Sequence, residues 1–282
     1  MSTSPVLITP AELKAVLGRP DTVVLDCTWY LPESRRSGRY TFAEGHIPGA
    51  RFFDLEVVRD TGSPLPVMLP RAADFAAAVA ALGVSADSHV VIVDDRNVSA
   101  RLRWMLRYFG HDDVRVLDGG MAAWRELGYP IESGAAAAVP AGTFVAHERP
   151  ELLAGWRDIV AAIETGTSQV LDARNSESFS GRKPPSYPGI AAGHMRGAIN
   201  VPYDRFYRPD HGFVSPEQAR QIFVDAGAGF DRPAILSCGV GVSAAVLGLM
   251  FDHIGFSDWR LYDGSWNEWG RLPDVAHLTV SV

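Results

Sequence analysis

Short apolar runs, closed by glycine, proline or a polar residue, alternate along this chain with longer stretches of helical pattern. Residues 22–26, 89–93 and 114–117 read as strands in the first half, and 169–172, 234–237 and 260–262 in the second. Their near-continuous hydrophobicity is that of strands buried on both faces, as in a parallel sheet. Thr9-Pro10-Ala11-Glu12 predicts a helix start, with a capping threonine, proline in the first turn and glutamate closing the box. Ser215-Pro216-Glu217-Gln218 repeats that logic. Strand and helix alternation predicts an α/β fold with a central, mainly parallel sheet and helices on both faces.

The pattern is written twice. Val24-Leu25-Asp26 returns as Val170-Leu171-Asp172, and Gly45-His46 with Gly49-Ala50 returns as Gly193-His194 with Gly197-Ala198. Val91-Ile92-Val93-Asp94 aligns with Ile235-Leu236-Ser237-Cys238, and Leu117-Asp118-Gly119-Gly120 with Tyr262-Asp263-Gly264-Ser265. The spacing stays between 144 residues (Asp94 to Cys238) and 148 (His46 to His194). So long a period means a duplicated domain rather than a solenoid. The expected division is a first domain over 1–130, a weakly patterned linker over 131–147, and a second domain over 148–282.

Composition narrows the function. The 282 residues carry 26 Lys plus Arg against 33 Asp plus Glu, a net charge of −7, which argues against nucleic acid or an anionic membrane as the partner. The only two cysteines, Cys27 and Cys238, make no disulfide framework, and a reducing cytoplasm is expected. Met-Ser-Thr-Ser-Pro at the start shows no secretory pattern, and no apolar stretch approaches the roughly 20 residues of a membrane helix. No ligand spacing suggests a metal, and no cofactor is expected.

Cys238 is the candidate nucleophile. It stands where the strand ending at Ser237 should turn into the apolar helical stretch beginning at Ala244. The turn reads Cys238-Gly239-Val240-Gly241-Val242-Ser243. Its two glycines let successive N–H groups point inward, and with the positive end of the next helix they form an anion cradle around the sulfur. A free thiol titrates at about 8.5, and such surroundings favour the thiolate. In parallel sheets ligands bind at the carboxyl ends of strands, where Cys238 falls. Cysteine phosphatases instead need an arginine six residues past the nucleophile, where this chain has Ala244.

Trp29-Tyr30-Leu31-Pro32, His46-Ile47-Pro48-Gly49-Ala50, Asp118-Gly119-Gly120, Asp172-Ala173-Arg174, the Cys238 loop and Tyr262-Asp263-Gly264-Ser265-Trp266 together carry a resemblance. The chain resembles the two-domain rhodanese family of sulfurtransferases, and within it the 3-mercaptopyruvate sulfurtransferases. The resemblance implies two tandem rhodanese-like domains, of which only the second is catalytic. Asp94 stands at the first domain's equivalent of Cys238, and a carboxylate cannot carry a persulfide.

The implied reaction moves sulfane sulfur from a small donor, 3-mercaptopyruvate or thiosulfate, through a Cys238 persulfide to a thiol, cyanide or a reduced protein thiol. Gly239, Val240, Gly241, Val242 and Ser243 would hold the persulfide. Arg182, Lys183, Trp29 and His46 are candidate substrate-binding residues. The family's loop hydroxyl is replaced by Val240, and its substrate arginines by Ser178 and Ser180, leaving Arg182 and Lys183 as the nearest cations. His46 and His194 sit symmetrically although one copy lacks the cysteine, which favours a structural role for both; Asp172 and Arg174 are expected to pair. Cys27 reads as a small packed residue. The alternatives are a persulfide relay or sulfur-carrier protein, and a noncatalytic rhodanese-like binding module.

Overall fold

The structure, a computed structural model, describes residues 5–95 and 97–281. It divides into two compact units: residues 1–62, 69–149 and 207–213 form one, and 63–68, 150–206 and 214–282 the other.

In unit 1 the strands are Leu7–Ile8 (β1), Thr22–Asp26 (β2), Arg51–Phe52 (β3), His89–Val93 (β4) and Val114–Leu117 (β5). They form one sheet in the order β1-β5-β4-β2-β3, parallel at every pairing. Helices Pro10–Val16 (α1), Gly38–Glu44 (α2), Ala72–Ala81 (α3), Ser99–Tyr108 (α4) and Gly120–Glu126 (α5) cover it. Alternate residues of β4 explain the two layers. Val91 and Val93 join Leu13 of α1, Phe42 of α2 and Trp124 of α5 in one core, while Val90 and Ile92 are buried on the opposite face. There α4 packs on β4 and β5, and Phe75 of α3 stacks on Phe109.

Unit 2 repeats the plan. Leu153–Ala154 (β6), Gln169–Asp172 (β7), Ile199–Asn200 (β9), Ala234–Ser237 (β10) and Trp259–Tyr262 (β11) order as β6-β11-β10-β7-β9, again all parallel. A short antiparallel pair, His194–Met195 (β8) with Thr279–Val280 (β12), lies apart. The helices are Trp156–Thr165 (α6), Ser176–Phe179 (α7), Pro216–Asp225 (α8), Ala244–His253 (α9) and Ser265–Trp269 (α10). Ile235 and Leu236 of β10 are fully buried, each worth about 1.5–3 kcal/mol of apolar transfer. Helix α9 approaches β11 closely because position 248 is glycine; a Cβ there would meet the Trp259 ring at 2.4 Å.

All six expected strands are present. The sequence reading missed the two-residue strands, which are too short to show a periodicity. Both predicted capping boxes form: Thr9 Oγ1 accepts the Glu12 N–H at 3.2 Å, and Ser215 Oγ accepts the Gln218 N–H at 3.3 Å. Residues 131–147, expected as a linker, belong to unit 1, which runs to Arg149 and also takes 207–213, while unit 2 takes 63–68 as well as the segments after Arg149. Backbone bonds hold this strap: Gly134 N–H to Ala43 O, Gly142 N–H to Ala80 O and His147 N–H to Phe109 O. Its alanine-rich composition hides these anchors because main-chain groups make them.

Candidate active site

In each sheet the chain order reverses beside the central strand, between β4 and β2 in unit 1 and between β10 and β7 in unit 2. Side chains just past the carboxyl ends of those strands face the crevice such a reversal opens. Asp94 follows β4 and Cys238 follows β10.

Asp94 shows what this loop does with an anion. Its Oδ2 accepts the N–H of Val98 and, at 3.1 Å, that of Ser99, and the side chain is buried. Val98 and Ser99 are the repeat equivalents of Val242 and Ser243. The loop of unit 1 is therefore an amide cradle filled by the protein's own carboxylate.

Around Cys238 the loop of the same plan carries a thiol where the sister loop carries the Asp94 carboxylate. The Cys238 C=O accepts the Trp266 N–H at 3.0 Å, and the Gly239 C=O accepts the Asn267 N–H at 2.9 Å. In a trans peptide the C=O of one residue and the N–H of the next point in opposite directions. Fixing those two carbonyls on the start of α10 thus turns the Gly239 and Val240 N–H groups the other way. The N–H groups of Gly239, Val240, Val242 and Ser243 donate to no other described residue. Gly241 makes the sharp turn at φ +77°, a conformation that favours glycine. Cys238 itself is 1% exposed, and Gly239 and Ser243 of its loop are half-buried.

A second layer braces the loop. Arg174 grips Asp172 through Nε and Nη2, with Nη2–Oδ2 at 2.6 Å, and donates to Gly193 O at 3.0 Å. Its guanidinium lies over the Trp266 ring, and the Trp266 Nε1–H bonds Ala191 O at 2.9 Å. The expected Asp172–Arg174 pair is thus present. In unit 1 the equivalent of Arg174 is Thr28, so Asp26 has a hydroxyl residue where Asp172 has a cation; burial raises its carboxyl to about 6, against the Thr28 hydrogen bonds.

The other candidates are placed as follows. Arg182 and Lys183 lie in the exposed turn after α7, where the Lys183 N–H bonds Glu177 O; neither side chain makes an ion pair with a described residue. Trp29, in unit 1, is half-buried and donates its Nε1–H to Glu56. His46 is buried there, with Nδ1 2.8 Å from Phe42 O, its ring stacked on Phe42 and Nε2 3.9 Å from Glu132. His194 mirrors it, with Nδ1 3.0 Å from Phe179 O and its ring stacked on Phe179. Cys27 is wholly buried, its Sγ 3.7 Å from Val93 O; burial, with Asp94 and Asp26 adding, pushes its thiol up. Among the described residues no group of His, Cys, Asp and Glu is placed to hold a metal ion, and no helix is long and apolar enough to cross a membrane.

Sequence reasoning missed Ser265. It is fully buried at φ +49°, and its Oγ accepts the Cys238 N–H at 3.1 Å while donating to Tyr262 O at 2.8 Å. The available signal was its alignment with Gly120.

Two copies of one sheet, one ending in a cysteine loop and the other in a loop plugged by a carboxylate, define a tandem protein whose second loop alone carries a sulfur. The chain belongs to the rhodanese family: the rhodanese-like domain matches residues 9–127 and 156–272. A 3-mercaptopyruvate sulfurtransferase of Mus musculus is 39% identical over 270 residues, covering 94% of this chain and 91% of the relative. A thiosulfate sulfurtransferase of Rattus norvegicus is 38% identical over 257 residues, covering 89% and 86%. The crystal structure of SseA from Escherichia coli, presented under 3-mercaptopyruvate sulfotransferases, superposes with a TM-score of 0.85 at 34% identity, covering 93% of this chain and 99% of that one.

Proposed function

We propose that this protein is a sulfurtransferase in which Cys238 carries the sulfur in transit. The observation that carries the assignment to this loop is Asp94, whose carboxylate takes two N–H groups in the sister loop. A cradle of the same plan, in which the Gly239, Val240, Val242 and Ser243 N–H groups donate to no other described residue, suits an anionic persulfide. In the first half-reaction the Cys238 thiolate attacks the outer sulfur of the donor. A new S–S bond forms, and the donor's old bond to that sulfur breaks. Its electron pair leaves with pyruvate enolate, which then takes a proton, or with sulfite. In the second, a thiolate or cyanide attacks the outer sulfur and Cys238 departs as thiolate. The persulfide splits one difficult transfer into two displacements, with ping-pong kinetics.

No cation lies between Gly239 and Ser243. That supports the singly charged 3-mercaptopyruvate over the doubly charged thiosulfate as preferred donor, with Arg182 or Lys183 as candidates to meet its carboxylate. Small thiols, cyanide or a reduced protein thiol are the acceptors this chemistry admits, and nucleic acid has no part in it. Two unpaired cysteines suit a reducing compartment such as the cytoplasm.

Intact mass after incubation with either donor tests the proposal. The expected result is one added sulfur that cyanide removes, absent from Cys238→Ser and retained in Cys27→Ser. An adduct that survives in Cys238→Ser would overturn it. Turnover compared between the two donors decides the preference.

A further inference from the structure

Ser265 occupies a backbone conformation that its sister position gives to glycine. Gly120 has φ +54° and Ser265 has φ +49°. Both stand where the next N–H, that of Met121 or Trp266, bonds the carbonyl of Asp94 or Cys238, at 3.1 and 3.0 Å. A Cβ on Gly120 would meet Asp94 O at 2.5 Å, so unit 1 has no room for a side chain here. Unit 2 keeps one, in the left-handed region that L-residues avoid, and buries it fully. Strain of this kind persists where the surroundings over-determine it, and it clusters at functional sites.

What the side chain does is set by its two hydrogen bonds. The hydroxyl has one proton, and Tyr262 O takes it at 2.8 Å. The oxygen is left as a pure acceptor aimed at the Cys238 N–H, 3.1 Å away. Cys238 is thus held at both ends of its backbone, by Ser265 Oγ at its N–H and by the Trp266 N–H at its C=O. No rotation about its φ and ψ is possible without breaking a buried bond. Asp94 needs less restraint, because its own carboxylate is tied to the loop.

We propose that Ser265 is a positioning residue for sulfur transfer: its hydroxyl locks the main chain of Cys238 so that Sγ stays centred on the loop amides, before and after it gains the second sulfur. The inference rests on the sulfur-transfer reading above. It places the strained serine in the catalytic copy for a mechanical reason, since a thiolate, unlike a carboxylate, is held by its backbone and by one row of amides alone.

Ser265→Gly is the direct test, because glycine accepts the backbone conformation, as Gly120 does. The expected result is an unchanged fold by circular dichroism, KM for the donor within about twofold of wild type, kcat lower by about tenfold, and a pH–rate profile for Cys238 alkylation displaced to higher pH. Ser265→Ala, which keeps the Cβ but not the hydroxyl, should behave the same way in the alkylation profile, and it decides the matter if the glycine variant melts early. An alkylation profile and kcat matching wild type in either folded variant would overturn the proposal. Failure of the wild-type protein to take up any sulfur would instead overturn the sulfur-transfer reading, so the two failures are distinct.

Discussion

The Arg174 guanidinium lies 4.4 Å over the ring of Trp266 while two of its nitrogens hold Asp172. One side chain therefore joins the end of β7 to the start of α10, the helix whose N–H groups fix the Cys238 and Gly239 carbonyls. The Asp172 side chain is only 1% exposed, so the pair is a buried one, and removing one partner leaves a charge without compensation. Arg174→Met should cost about 3–5 kcal/mol in urea unfolding. The double variant with Asp172→Asn should recover part of that loss, as expected when the cost comes from the stranded carboxylate.

Asp26 faces the same burial with Thr28 where Asp172 has Arg174. Its carboxyl is raised from 3.8 to about 6 in the fold. The folded state therefore binds the proton more tightly than the unfolded chain. That contribution is fully present below the unfolded value and is lost as pH rises through about 6. Asp26→Asn, which can still accept the Thr28 N–H, should be more stable than wild type at neutral pH by about 2–3 kcal/mol. The difference should vanish toward pH about 4, read from denaturation midpoints across a pH series.

The two loop glycines should respond differently to alanine. Gly241 sits at φ +77°, where a Cβ strains the turn that aims the amides. At Gly239 an added Cβ meets nothing within 4 Å. Gly241→Ala should lower the rate of sulfur uptake by about tenfold or more, for a strain of roughly 1–2 kcal/mol. Gly239→Ala should keep uptake within a few-fold of wild type. Stopped-time intact mass after donor addition separates the two.

Removing the carboxylate of Asp94 should cost stability rather than chemistry. Asp94→Ala leaves the Val98 and Ser99 N–H groups without their acceptor, a loss of about 1–3 kcal/mol in unfolding. The Cys238 adduct should still form. Thermal melts of the variant with and without small anions such as thiosulfate would show whether the emptied cradle takes one up, with a concentration-dependent rise in midpoint expected.

Much of this architecture is legible along the chain because it rests on local chemistry. Buried parallel strands need unbroken apolar runs, and helices need caps, so β2, β4, β5, β7, β10 and the box at Thr9 can be read directly. The 144-to-148-residue spacing discloses the duplication, and the cysteine between β10 and α9 supplies the nucleophile proposed above, with Asp94 at the same place in the other copy. The pairing of Asp172 with Arg174 is also within reach, since two residues on one strand end are neighbours by construction.

What lay beyond the sequence depends on residues far apart in the chain meeting in space. The strap over residues 131–147 is held largely by backbone groups, such as those of Gly134, Gly142 and His147, which carry no residue identity. The place of His46 against Phe42 and Glu132, and of Trp29 against Glu56, follows from packing between segments. Above all, the direction of the loop amides and the grip of Ser265 on Cys238 arise only when α10 docks its first N–H groups on carbonyls 28 positions upstream. Sequence singled out the atom proposed to react. Tertiary structure decided how that atom is held, because hydrogen-bond direction belongs to the folded chain and not to any residue alone.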